Sequence, residues 1–241
     1  MRTWLKRVLI ASVAIIVLAM AGFYAWTRIA TYQAFPEAVA LAGETRADRG
    51  WYVFEPEGDV RAGLIFYPGG LVDAAAYAPL MEQLRAHGVR AVIVPMPLDL
   101  AVFGIDRADE VIAAYPDVDT WIIGGHSLGG AMAAEYLKDG PGAVDGVFFL
   151  ASYPAESTDL SGMPVVALSV YGTEDGVDEA VFEASLERLP EGASLVEIEG
   201  GNHAQFGDYG PQDGDGVATI GRDQQQRQTV GAIVGLVETL E

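Results

Sequence analysis

The segment Gly124-Gly125-His126-Ser127-Leu128-Gly129-Gly130 restricts the fold more than any other stretch of this chain. Four glycines surround one serine, with the apolar run Trp121-Ile122-Ile123 before them and an Ala-rich stretch to Lys138 after them. β-Branched and aromatic residues in a short apolar run favour a strand, whereas Leu, Ala and Met favour a helix. Glycine permits the turn between them where strand and helix approach too closely for side chains. Gly125-His126-Ser127-Leu128-Gly129 fits G-x-S-x-G, in which the serine occupies a strained strand-to-helix turn and its hydroxyl projects above a sheet. The five-residue pattern is weak by itself; the strand before it and the helix after it give it weight. No Gly-Lys-Ser/Thr follows, which argues against a phosphate cradle.

The same alternation continues on both sides. Trp51–Phe54, Leu64–Tyr67, Ala91–Val94, Thr120–Ile123, Val147–Leu150, Val165–Val170 and Leu195–Ile198 have the length and residue types of strands. Between them, Tyr77, Leu80, Met81 and Leu84 fall at helical spacing up to Gly88, and Asp106–Tyr115 reads as a helix ended by Pro116. Gly140-Pro141 stops the helix after Ser127, Asp178–Leu189 is the next, and Asp223–Leu240 presents Val230, Ile233, Val234 and Val237 on one face. Strands alternating with helices predict an α/β fold, a mostly parallel sheet covered on both sides. The chain of 241 residues suits one such domain, over 50–241, after a linker or first helix at 31–49.

The first thirty residues are different. Arg2, Lys6 and Arg7 precede the uncharged stretch Val8–Thr27, and twenty helical residues span about 30 Å, the hydrocarbon thickness of a bilayer. Two outcomes fit: a signal-anchor that keeps its cationic end in the cytoplasm, or a signal peptide cleaved after Ala19-Met20-Ala21. Apolar residues continuing through Phe23, Tyr24 and Trp26 favour the anchor, with the two last as an interfacial aromatic belt. Either outcome puts the domain outside the cytoplasm.

Beyond this segment lie all 34 acidic residues, in a chain of net charge -20. Such a surface repels phosphate backbones, so nucleic acid is not an expected partner. The absence of cysteine removes disulfides, thiolate metal sites and cysteine nucleophiles.

On these residues the stretch from about Trp51 to Leu240 resembles the α/β-hydrolase superfamily, and especially its small, lidless branch related to dienelactone hydrolases. Dienelactone hydrolases use a cysteine where this chain has Ser127, so their substrate does not carry over. The resemblance implies a serine hydrolase with a chain order of nucleophile, acid, histidine. Of three histidines, His87 precedes Ser127 and ends a helix, and the backbone direction at His126 turns it away from the neighbouring hydroxyl. His203, in a loop after the last strand, remains as general base. Asp175, in Gly172-Thr173-Glu174-Asp175-Gly176, matches the family's acid position, with Glu174 and Asp178 as neighbouring rivals. The oxyanion hole implied by the resemblance joins the N–H of Leu128 to that of Gly70, with Leu71 as the alternative, in Pro68-Gly69-Gly70-Leu71.

The expected substrate is a small or accessible carboxylic ester. An amidase, thioesterase or acyltransferase would use the same residues, and a noncatalytic membrane-tethered binding protein is the rival of another class. No cofactor and no metal is expected: Gly207–Gly216 is acidic and Gly-rich but lacks the alternating ligands of a calcium loop. Met96, Leu98, Leu100 and Phe103 fit either an apolar substrate site or core beneath a loop. The short interval between Leu150 and Val165 leaves no room for a large lid.

Overall fold

A computed structural model describes residues 2–45, 47, 49–140, 142–177 and 179–241. Pro141, expected to help stop a helix, and Asp178, a rival acid, lie outside the described residues. The chain divides into two compact units at Thr31. The first is helix α1, Arg2–Ala30. Its Thr3–Ala30 stretch is long and apolar enough to cross a membrane, a property that anchors and signal sequences share.

The second unit is built on a seven-stranded sheet in the order β1-β3-β2-β4-β5-β6-β7. The strands are β1 Tyr52–Phe54, β2 Ala62–Tyr67, β3 Val89–Ile93, β4 Trp121–His126, β5 Gly146–Leu150, β6 Val166–Gly172 and β7 Ser194–Ile198. All neighbours run parallel except the edge pair β1 and β3. The helices are α2 Pro36–Glu44, α3 Ala78–Arg85, α4 Arg107–Ala114, α5 Leu128–Leu137, α6 Glu179–Leu186 and α7 Arg222–Glu238. Within the stretch expected to be a linker or first helix, α2 forms with proline in its first turn, where a missing N–H leaves no bond unmade.

Side-chain alternation distributes the strands between two cores. Leu64, Phe66, Ile122 and Phe148 face α3 and α7, with Leu80, Met81, Ile233 and Val237 among the helical contributions. Ile65, Tyr67, Trp121, Ile123 and Phe149 face α4 and α5, which supply Val111, Ala133 and Leu137. Burial of β2 and β4 on both faces explains why they read as continuous apolar runs.

One consequence of the strand order places the site. The chain winds outward from β2 to β3, then returns to lay β4 against the other side of β2. Connections therefore leave in opposite directions at the carboxyl ends of β2 and β4. That opens the crevice in which parallel α/β sheets bind ligands. Pro68 follows β2 and Ser127 follows β4.

Candidate active site

Ser127 joins β4 directly to α5 with φ 51° and ψ −123°, a backbone state that side chains other than glycine's rarely adopt. Its N–H donates to Leu150 O at 3.0 Å, and its own carbonyl accepts Ser152 Oγ–H at 2.6 Å. The turn is pinned from β5. Its tightness explains the flanking glycines: a Cβ at Gly125 would lie 2.2 Å from Tyr67 O, and one at Gly129 2.0 Å from the same oxygen. Ser127 and Leu128 remain half-exposed at the crevice.

The loop after β2 has its backbone donors assigned in turn. Gly69 N–H donates to Tyr77 Oη at 3.0 Å, and Leu71 N–H to Asp99 O at 2.7 Å. The bond to Asp99 removes Leu71, the alternative oxyanion donor. Gly70 N–H has no acceptor among the described residues. Gly70 also packs on the residue after the serine, since a Cβ built on it would sit 2.9 Å from Leu128 Cδ2. The two N–H groups named from the sequence thus belong to touching residues at the N-terminus of α5, where the helix dipole adds positive potential.

His203 and Asp175 are brought together. His203 Nδ1 lies 3.1 Å and 3.3 Å from the two Asp175 carboxylate oxygens, with both side chains nearly covered. A carboxylate accepts only, so Nδ1 carries the proton and Nε2 is left with a lone pair. That Nε2 is buried and has no partner among the described residues, so no hydrogen bond links it to Ser127. Such bonds are often long in unliganded sites and close when substrate binds.

The sequence reading missed the groups that hold the histidine. Asp215 receives His203 N–H at 2.9 Å and Ala204 N–H at 2.8 Å. The Gln225 side chain accepts from Asn202 N–H at 3.0 Å and donates to Asn202 O at 2.7 Å. The acidic loop that suggested calcium therefore serves as a backbone clamp. Among the described residues no group of three or more His, Asp or Glu is placed to hold a metal ion. Gln225 and Gln226 left one sequence signal, two glutamines among the apolar positions of α7, and both are buried.

His126 is buried, as a side chain turned into the protein would be. Its Nδ1 lies 2.8 Å from Tyr77 Oη, and its ring is 4.5 Å from that of His203. Burial above all, then the neighbouring His203, holds its pKa well below the ordinary histidine value. Of the residues offered as an apolar site or core, Met96 is buried, Leu98 and Leu100 are half-buried and Phe103 is exposed.

A serine on a strained strand-to-helix turn at the sheet's switch point, with a carboxylate–imidazole pair from later loops, is the arrangement of the α/β hydrolases. Residues 63–227 match the alpha/beta hydrolase family, and the chain belongs to it. The same fold appears in a predicted CIB-like hydrolase from Thermoplasma acidophilum (20% identity, TM-score 0.55, covering 78% of this chain and 95% of that one). It appears again in a soluble variant of monoglyceride lipase from Saccharomyces cerevisiae in complex with a substrate analog (10% identity, TM-score 0.60, 79% and 90% covered). A third likeness is Est2, an esterase from Thermogutta terrifontis with propionate bound (15% identity, TM-score 0.55, 77% and 89% covered). Among curated proteins no sequence match is found.

Proposed function

We propose that this protein is a serine hydrolase of carboxylic esters, with Ser127 as nucleophile, His203 as general base, Asp175 as its orienting acid, and Gly70 and Leu128 N–H as the oxyanion hole. The observation that carries this reading is the uncapped His203 Nε2, held by Asp175 on its other side and facing no donor of its own. It is a base without its proton source. In the reaction His203 Nε2 takes the proton of Ser127 Oγ, which attacks the substrate carbonyl. The oxyanion is received by Gly70 and Leu128, the alkoxide leaves with the proton from His203, and water repeats the sequence to release the acid. Asp175 holds the imidazole and stabilises its charged form without taking the proton.

A cavity of about 480 Å³ lies on the Asp175 side of the site, lined by Asp175 and Ser152 and by the rings of Tyr153, Tyr171 and Phe182. It suits a small substrate group with apolar surface. The esterase and lipase neighbours are consistent with an acyl ester, and the family resemblance to lidless dienelactone hydrolases with an open site. By the same reading, residues 1–30 tether a catalytic domain at 50–241 to the membrane through 31–49. The domain lies outside the cytoplasm, whether anchored or released by cleavage.

The test uses the full chain in detergent. Ser127→Ala should abolish hydrolysis of p-nitrophenyl acetate and labelling by a fluorophosphonate probe while leaving thermal unfolding intact. Undiminished turnover by the variant would refute the nucleophile, and an unlabelled, inactive wild type would favour the noncatalytic binding protein. Parallel amide and thioester substrates separate the other activities open to these residues.

A further inference from the structure

We propose that Tyr77 and His126 are positioning residues that aim the oxyanion loop, through a hydrogen-bond chain running from Gly69 N–H through the Tyr77 hydroxyl to His126, whose ring packs against that of His203. The inference rests on the serine-hydrolase reading and assigns roles to two residues which that mechanism leaves unused.

A phenol has one proton to give. Tyr77 Oη accepts the Gly69 N–H at 3.0 Å, and 2.8 Å away on its other side is His126 Nδ1. In the proposed chain the phenolic proton goes to Nδ1, and His126 is a neutral ring with its proton on Nε2. Burial reinforces that state at both ends, raising the Tyr77 pKa and lowering that of His126. His126 Nε2 has no partner among the described residues, and its ring packs 4.5 Å from His203. The two rings thus bridge the oxyanion loop and the base.

The chain also accounts for Gly69. A Cβ there would come within 2.8 Å of both His126 Nδ1 and Tyr77 Oη, so the tyrosine–histidine pair occupies the space a side chain would need. With Gly69 N–H held by Tyr77, Gly69 O by Val72 N–H and Leu71 N–H by Asp99 O, Gly70 N–H is the remaining free donor and its direction is set by its neighbours. Removing the Tyr77 hydroxyl releases the first of these holds. The consequence should appear where an oxyanion exists, in the transition state, more than in the bound substrate.

Tyr77→Phe in the full chain keeps the ring and its contact with Phe66, at 4.6 Å, and deletes only the oxygen. The expected result with p-nitrophenyl acetate is a fall in kcat of about 10- to 100-fold, with KM changed less than about threefold. Inhibition by an alkyl trifluoromethyl ketone, whose serine adduct carries an oxyanion, should weaken in proportion to kcat/KM. His126→Leu should lose as much, and His126→Gln, which still offers an acceptor to Tyr77, should recover most of it. The double variant Tyr77→Phe/His126→Leu should be no worse than either single change, because both break one chain. If Tyr77→Phe does not fold, the Gln and Leu pair at His126 decides.

Unchanged kcat and ketone affinity in Tyr77→Phe, additive losses in the double variant, or equal losses in His126→Gln and His126→Leu would overturn the proposal. An active wild type with such outcomes sinks the positioning role alone. A wild type that neither turns over nor takes a fluorophosphonate sinks the hydrolase reading and this inference with it.

Discussion

Replacing Gly129 with alanine adds one carbon at a position already filled by backbone. The new Cβ would stand 2.0 Å from Tyr67 O and 2.5 Å from Pro68 O. Carbon–oxygen contacts settle at about 3.3 Å, so a carbonyl must retreat by more than about 1 Å. Tyr67 resists the move: it is paired with Gly125 in the sheet, and its hydroxyl donates to Ile105 O at 2.6 Å and accepts Ala108 N–H at 2.9 Å. The displacement is therefore passed on to Pro68–Gly70, and Gly70 N–H moves away from Leu128. Misplacement of a catalytic group by about 1 Å lowers rates by about 100-fold, and overpacking of this kind costs about 1–3 kcal/mol. Steady-state hydrolysis of p-nitrophenyl acetate and thermal unfolding of the full chain in detergent read both effects. A stable Gly129→Ala enzyme with wild-type kcat would show that the close approach of β2 and α5 does not set the oxyanion geometry.

Three other outcomes are expected. Asp215→Ala strips the acceptor from His203 N–H and Ala204 N–H, so it should lower stability by about 2 kcal/mol and reduce kcat; a variant matching wild type in both would show that Asp215 does not hold the histidine in place. His126 has a folded pKa below its unfolded value of about 6.5, so the unfolded chain takes up the proton first as pH falls. Stability due to the neutral ring is thus complete above about pH 6.5 and is lost below it. Denaturation at a series of pH values should show wild type losing up to about 1.4 kcal/mol per pH unit more than His126→Gln, and parallel curves would contradict the assigned neutral state. The cavity beside Asp175 is also lined by Glu183 and Glu197, with no Lys or Arg among its described residues. A p-nitrophenyl half-ester carrying a free carboxylate should therefore react about tenfold more slowly, by kcat/KM, than its neutral homologue, with the gap narrowing in high salt.

Family, the succession of strands and helices along the chain and the position of Ser127 are largely local properties, which is why they could be read from the sequence. Two-sided burial makes Leu64–Tyr67 and Trp121–Ile123 continuously apolar, and the elbow glycines are needed because strand and helix adjacent in sequence meet there. A positive φ at Ser127 follows from the same few residues. The apolar character of α1 was equally plain, because length and hydropathy are written into one uninterrupted segment.

What tertiary structure decided are pairings between residues far apart in the chain. Elimination suggested His203, but the fold set its Nδ1 against Asp175 and fastened its backbone to Asp215, while Asn202 is held by Gln225. Leu71 stood as the alternative to Gly70 for the oxyanion loop, and only the fold shows its N–H bonded to Asp99 O across a loop. His126 could be read from the sequence as turned away from the serine hydroxyl. Only the packed structure shows its Nδ1 within 2.8 Å of the Tyr77 hydroxyl and its ring beside that of His203. Local periodicity records which face of an element is buried, whereas a hydrogen bond between distant loops leaves no periodic trace and exists only once the sheet has brought its strand ends together.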